Sequence, residues 1–151
     1  MTRHPSRRRA PQLVAAVLGA LASLAAQEVR ADGAADSLGG VSLEEVTAAP
    51  AEAGGWTRIG FVLDNASRRT VRLTGVESEA ADSGALLVAP EGEPPRPAEG
   101  FTVLQEETLD LDSSHLRVEL RGLRRRLAPG DRIGLVLIFR EGRIETVAHV
   151  H

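Results

Sequence analysis

The stretch His115-Leu-Arg-Val-Glu-Leu-Arg-Gly-Leu-Arg-Arg-Arg-Leu-Ala-Pro-Gly-Asp131-Arg-Ile-Gly-Leu-Val-Leu-Ile-Phe139 decides the fold class. Leu116, Val118 and Leu120 fall on one side of an extended chain, and His115, Arg117, Glu119 and Arg121 on the other. That is the period-two pattern of a strand with one face on a core and one toward solvent. Ala128-Pro-Gly-Asp131 is a turn, because Pro presets φ and Gly and Asp accept the backbone angles that a reversal needs. Ile133 to Phe139 is almost unbroken apolar sequence and reads as a central strand buried on both faces.

The same grammar continues outward. Glu141-Gly142 is a tight turn, and Ile144 to Val150 returns antiparallel to the preceding strand. Upstream, Leu109 and Leu111 alternate with Asp110 and Asp112. Leu86-Leu87-Val88 is a short strand closed by Pro90. Glu91-Gly-Glu-Pro-Pro-Arg-Pro97 is a loop, since proline has no N–H to give a sheet interior. Val71 and Leu73 alternate until Gly75 shifts the phase, as a bulge does. Ile59, Phe61 and Leu63 form another run, broken by Asn65-Ala-Ser67, and Trp56 is placed as the core anchor at its start. Regularly spaced short strands without helical periodicity specify an all-β, immunoglobulin-like antiparallel β-sandwich.

Composition bounds the rest. A chain of 151 residues with 42% hydrophobic and 3% aromatic content is one domain with a core of Val, Leu, Ile and Ala. There is no Lys, which reads as codon bias. There is no Cys, so neither a disulfide nor a cysteine-linked lipid is expected. Arg3, Arg7, Arg8 and Arg9 precede an apolar run from Leu13 to Ala22, and small-residue cleavage sites follow at Ser23-Leu24-Ala25 and Val29-Arg30-Ala31. Residues 1–31 are therefore expected to be a secretory signal peptide, too short in its apolar part to span a membrane comfortably. A flexible lead-in is expected over 32–43 and the sandwich domain over 44–151. After cleavage, 13 Arg stand against 20 Asp and Glu, a net charge of −7. An acidic protein repels phosphate backbones, so nucleic acid is not the expected partner. Arg124-Arg125-Arg126 reads as solvated charge at a loop edge.

The order of these elements resembles the periplasmic copper chaperone family PCu(A)C, over roughly residues 41–147. The resemblance is carried by the strand ending in Asp64-Asn65, by Leu73-Thr-Gly-Val-Glu77 and by Pro97-Ala-Glu-Gly100. It continues through Leu120-Arg-Gly-Leu-Arg-Arg-Arg-Leu-Ala-Pro-Gly-Asp131. It implies a cupredoxin-like β-sandwich that carries Cu(I) outside the cytoplasm and delivers copper toward cytochrome oxidase, with copper-handling or oxidase-assembly proteins as partners. The family's site uses a His and a Met early, a second Met in the middle, and a late His-x-Met pair. Here the late pair falls on Arg117 and Glu119, the early His near Leu87 or Val88, and the middle Met near Pro95. The early Met has no counterpart. Cu(I) selects soft thioether or thiolate ligands, and the only sulfur in the chain is Met1. A family-type site is therefore not expected to be intact.

Three histidines follow the leader. His115 lies two residues before the late His position, on the same strand face and about 7 Å along it. It reads either as a displaced ligand or as a surface His beside Arg117 and Glu119. His149 and His151 form a His-x-His pair that an extended chain places on one side, together with Glu145. Imidazole suits Cu(II), Zn or Ni; a frayed polar terminus is the alternative. No catalytic set emerges: Ser113-Ser114-His115 is local sequence, and Asp110, Asp112 and Glu119 are placed on an exposed face where pKa tuning is weak. Two functions stay open. One is a copper-chaperone-like carrier using His115, or His149 and His151. The other is a metal-free β-sandwich that serves as a protein-interaction module of the cell envelope.

Overall fold

The computed structural model describes residues 38–151, and the expected signal peptide over 1–31 lies outside them. Ten strands follow in order: β1 (Val41–Ala48), β2 (Trp56–Asn65), β3 (Val71–Glu77), β4 (Ala81–Val88), β5 (Arg96–Pro97), β6 (Phe101–Val103), β7 (Glu107–Asp110), β8 (Leu116–Leu123), β9 (Arg132–Phe139) and β10 (Gly142–Val150). The first strand begins at Val41, three residues before the expected domain start at 44. None of the described residues is helical, so no helix among them could cross a membrane.

The strands form one curled sheet in the order β5-β4-β8-β2-β1-β10-β9-β3-β6, with β7 also paired to β2. Curling brings its two halves face to face over a single core. Ile59, Phe61, Leu63, Leu86, Val118 and Leu120 come from one half, and Val71, Leu73, Leu135, Leu137, Phe139 and Ile144 from the other. All three Phe lie inside; the remainder is aliphatic, as the composition required. Each fully buried Leu, Ile or Phe supplies roughly 2 kcal/mol.

The expected all-β sandwich is present, with two differences. Every pairing is antiparallel except β1 with β10, which run parallel through Thr47↔His149 and Ala48↔Val150. Strand β9 is central, between β10 and β3, but is buried on one face only: Ile133, Leu135, Leu137 and Phe139 point inward, Gly134 is exposed, and Val136 and Ile138 are half-covered. An unbroken apolar run hides which face is which. The bulge expected at Gly75 is found as a register shift between Leu73 and Gly75. Proline at Pro97 is tolerated because β5 is an edge strand.

Two features shape the outer surface of the sheet. Strand β2 changes partner midway, pairing β8 through Ile59 and β7 from Val62. Gly60 sits at the switch, where a Cβ would come within 2.7 Å of the Thr47 hydroxyl and 2.9 Å of the Asp112 carboxylate. Glycine there lets the β7–β8 loop fold over β2. The second feature is a bulge in β1 between Glu44 and Thr47, with Glu45 held at φ 52°; β1 pairs with β10 only after it, through Thr47 and Ala48.

Candidate metal site

Strand β8 carries Arg117, Glu119 and Arg121 on its outer face. In register, Arg117 lies beside Leu87 of β4, Glu119 beside Ala85 of β4 and Arg58 of β2, and Arg121 beside Ser83 of β4 and Trp56 of β2. Pro97 of β5 lies beside Leu87 in turn. Leu87 and Arg117, which the resemblance aligns with the early and late positions, are thus neighbours on adjacent strands, while Pro95, aligned with the middle one, lies in the loop just before β5. What stands there offers no soft donor to Cu(I): a leucine 3% exposed, a guanidinium and a carboxylate.

Glu119 corrects the expected exposed face, being only 5% exposed. Its Oε2 accepts hydrogen bonds from Nε and Nη2 of Arg121 at 3.2 and 2.9 Å. Ala85 and Arg58 flank it in register, so a buried carboxylate and a half-exposed guanidinium form a charge-assisted pair. Trp56 is also corrected. It opens β2 but is 57% exposed, pointing away from the core it was expected to anchor.

Arg58 reaches across the Gly60 gap. Its Nη2 donates to the Leu111 carbonyl at 3.1 Å and lies 3.7 Å from Asp112. Its Nε is wholly buried and has no acceptor among the described residues. Asp110 accepts the Asp112 N–H at 2.9 Å. The Ser113 hydroxyl first, and then the backbone N–H groups of Asp112 and Ser113, hold the Asp110 carboxyl below its ordinary range. Both carboxylates shape the β7–β8 loop.

The three histidines are not brought together. His115 is exposed on the loop just before β8, fixed only by its carbonyl, which accepts the Ala89 N–H at 2.6 Å. His149 and His151 lie on β10 and its end, with β2 and β1 standing between them and β8 in the sheet order. His149 points outward beside Thr47 on β1 and Arg132 on β9. Alongside the stretch where β1 and β10 are not paired lies a shallow depression of about 440 Å³, lined by Leu43, Glu45, Val46, Thr47, Thr146, Val147 and both histidines. Glu45 is the carboxylate that lines the depression with them, while Glu145 is exposed on the same face of β10 as His149. Nothing in the sequence signals Glu45, because only the bulge turns it there. Glu45 favours a cation in the depression and Arg132 opposes one. No three His, Asp or Glu side chains among the described residues are close enough to hold a metal ion.

Arg124, Arg125 and Arg126 pair with Asp82, Asp131 and Glu52 respectively, as exposed loop-edge charge. Asp131 also accepts the Ala128 N–H at 3.0 Å. That bond, followed by Arg125, lowers its pKa, and the two contacts pin the Pro-Gly-Asp turn.

The family described as "Putative lipoprotein LpqE-like" matches residues 41–150. No curated protein matches the chain. Among solved structures, the copper-bound PCuAC domain from PmoF2 is similar with a TM-score of 0.66 and 19% identity, over 76% of this chain and 95% of that one. The apo PCuAC domain from PmoF1 aligns with a TM-score of 0.64 and 16% identity, over 76% and 96%. The solution structure of CuI-DR1885 from Deinococcus radiodurans aligns with a TM-score of 0.59 and 24% identity, over 80% and 82%. The sandwich implied by the PCu(A)C resemblance is therefore the fold this chain has.

Proposed function

The chain belongs to the LpqE-like family over residues 41–150, and from that membership and its PCuAC fold we propose an extracytoplasmic, copper-chaperone-like protein whose Cu(I) site has degenerated. Residues 1–31 serve as the export signal, and the carrier domain expected over 44–151 takes in β1 from Val41, which shortens the expected lead-in to 32–40. The word lipoprotein describes the family; these 151 residues hold no Cys on which to build a lipid anchor. Copper is taken by imidazole, as Cu(II), and not by the family's soft donors. The observation that carries this reading is the outward pair His149 and His151 beside the depression that Glu45 shares. Two imidazoles on one side of an extended strand suit Cu(II), Zn or Ni. His115, alone on its loop, is at most a displaced ligand. Delivery toward cytochrome oxidase, through copper-handling or oxidase-assembly partners, is the role that the PCu(A)C resemblance implies. The protein is not an enzyme and takes no nucleic acid.

The test is a titration of residues 32–151 with Cu(II), and separately with Cu(I) against a competing chelator. Cu(II) binding is expected to disappear in the double variant His149→Ala/His151→Ala and to survive His115→Ala. Cu(I) is expected to bind no better than to any His-bearing surface. Cu(II) binding unchanged in the double variant, or tight Cu(I) binding, overturns the proposal. The second reading, a metal-free interaction module, is favoured by the buried Glu119–Arg121 pair, which fills the former ligand face with a contact that has no use for a metal.

A further inference from the structure

The outer face of β2 and β8 combines an exposed aromatic ring with cations in an otherwise acidic protein. Trp56 and Arg121 are register partners across the two strands, and Arg58 and Glu119 are the next pair along the same face. The indole is left in water at 57% exposure. Arg121 spends part of its guanidinium on Glu119 yet keeps its side chain half exposed. Arg117 makes no ion pair among the described residues and lies half-buried one step further along β8. Arg58 keeps its Nε buried without an acceptor, a donor that folding leaves unused and that buried polar groups in native structures rarely tolerate.

The described residues carry 13 Arg against 18 Asp and Glu, yet on this patch three Arg face two carboxylates. Both carboxylates, Glu119 and Asp112, are already engaged by Arg121 and Arg58. The surplus is one cation's worth of field with guanidinium donors to spare, next to a tryptophan. Arg and Trp are the side chains that dominate binding hot spots, and guanidinium recognises carboxylate through paired N–H donors. We propose that this face docks an acidic, extended segment of a partner protein, with Trp56 as the apolar anchor and Arg117 and Arg121 receiving the partner's carboxylates. None of these side chains is an imidazole, so the docking holds with or without copper on β10.

Trp56 is the only Trp and the chain has no Tyr, so intrinsic emission reports on this face without a label. Residues 32–151 would be titrated with an N-acetylated octaglutamate peptide while Trp56 emission is followed, with octalysine and inorganic phosphate as parallel titrants. The expected result is a saturable change with octaglutamate alone that weakens as salt rises. Affinity should fall at least tenfold in Arg117→Glu, whose side chain has no ion pair to lose. A second variant, Arg121→Ala/Glu119→Ala, removes both members of the buried pair together and leaves no stranded charge. It should also weaken binding, with far-UV circular dichroism unchanged. No saturable change with octaglutamate, an equal response to phosphate or octalysine, or undiminished affinity in both folded variants overturns the proposal.

Discussion

Asn65 ends β2 with a side chain wholly shielded from water and fully occupied. Its Nδ2 donates toward the carbonyls of Arg69 at 2.8 Å, Leu104 at 2.9 Å and Val103 at 3.2 Å, and its Oδ1 accepts from Ser67. One amide thus ties the end of β2 to the β2–β3 turn and to the end of β6. Asn65→Ala leaves buried carbonyls without donors, each costing about 1–3 kcal/mol, so a loss of roughly 2–4 kcal/mol is expected in urea unfolding followed by circular dichroism. Asp131 is the pH-sensitive case. Its pKa is lowered from 3.8 in the fold, so its contribution to stability is complete above pH 3.8 and disappears as pH falls through the lowered value. Asp131→Asn should therefore be less stable than the parent at pH 7, with the difference closing in strong acid when both are unfolded by urea. The sequence marked Asn65 as a strand breaker and Asp131 as a turn residue, because both are local signals. It placed Glu119 on the correct face but not in the interior. That burial depends on Ala85 and Arg58, 34 and 61 positions earlier in the chain, which only strand pairing brings alongside.

The strands themselves were legible wherever alternation is strict, as in β8, and wherever a turn has a chemical signature, as at Pro129-Gly130-Asp131. What alternation cannot reveal is how one strand crosses another. β4 passes so close to β3 at Gly84 that a Cβ there would collide with the Val76 carbonyl. Gly84→Ala must push two backbones apart, and overpacking of this kind costs about 1–3 kcal/mol. A lowered urea midpoint with an unchanged slope would be the signature; an unchanged midpoint would mean that the crossing yields freely. The bulge in β1 was equally silent. Glu44-Glu45 looks like any polar step in a strand, yet its left-handed residue opens the depression beside His149.

For the molecule as a whole, the lack of any sulfur after Met1 and the order of strands were both on the surface of the sequence, and together they led to a copper-chaperone fold without its soft donors. The placement of Trp56 was not legible. A lone tryptophan at a strand start usually enters the core, and only its exposure in the fold, beside Arg121, shows it turned outward. The parallel meeting of β1 and β10 has a mechanical meaning. Tension applied at the start of β1 and the end of β10 draws the two strands past each other along their axes. The Thr47–His149 and Ala48–Val150 rungs and the antiparallel β1–β2 ladder are then loaded in shear, all at once, instead of being unzipped in sequence. A domain stitched in this way resists being drawn out lengthwise more than its thermal stability alone would suggest.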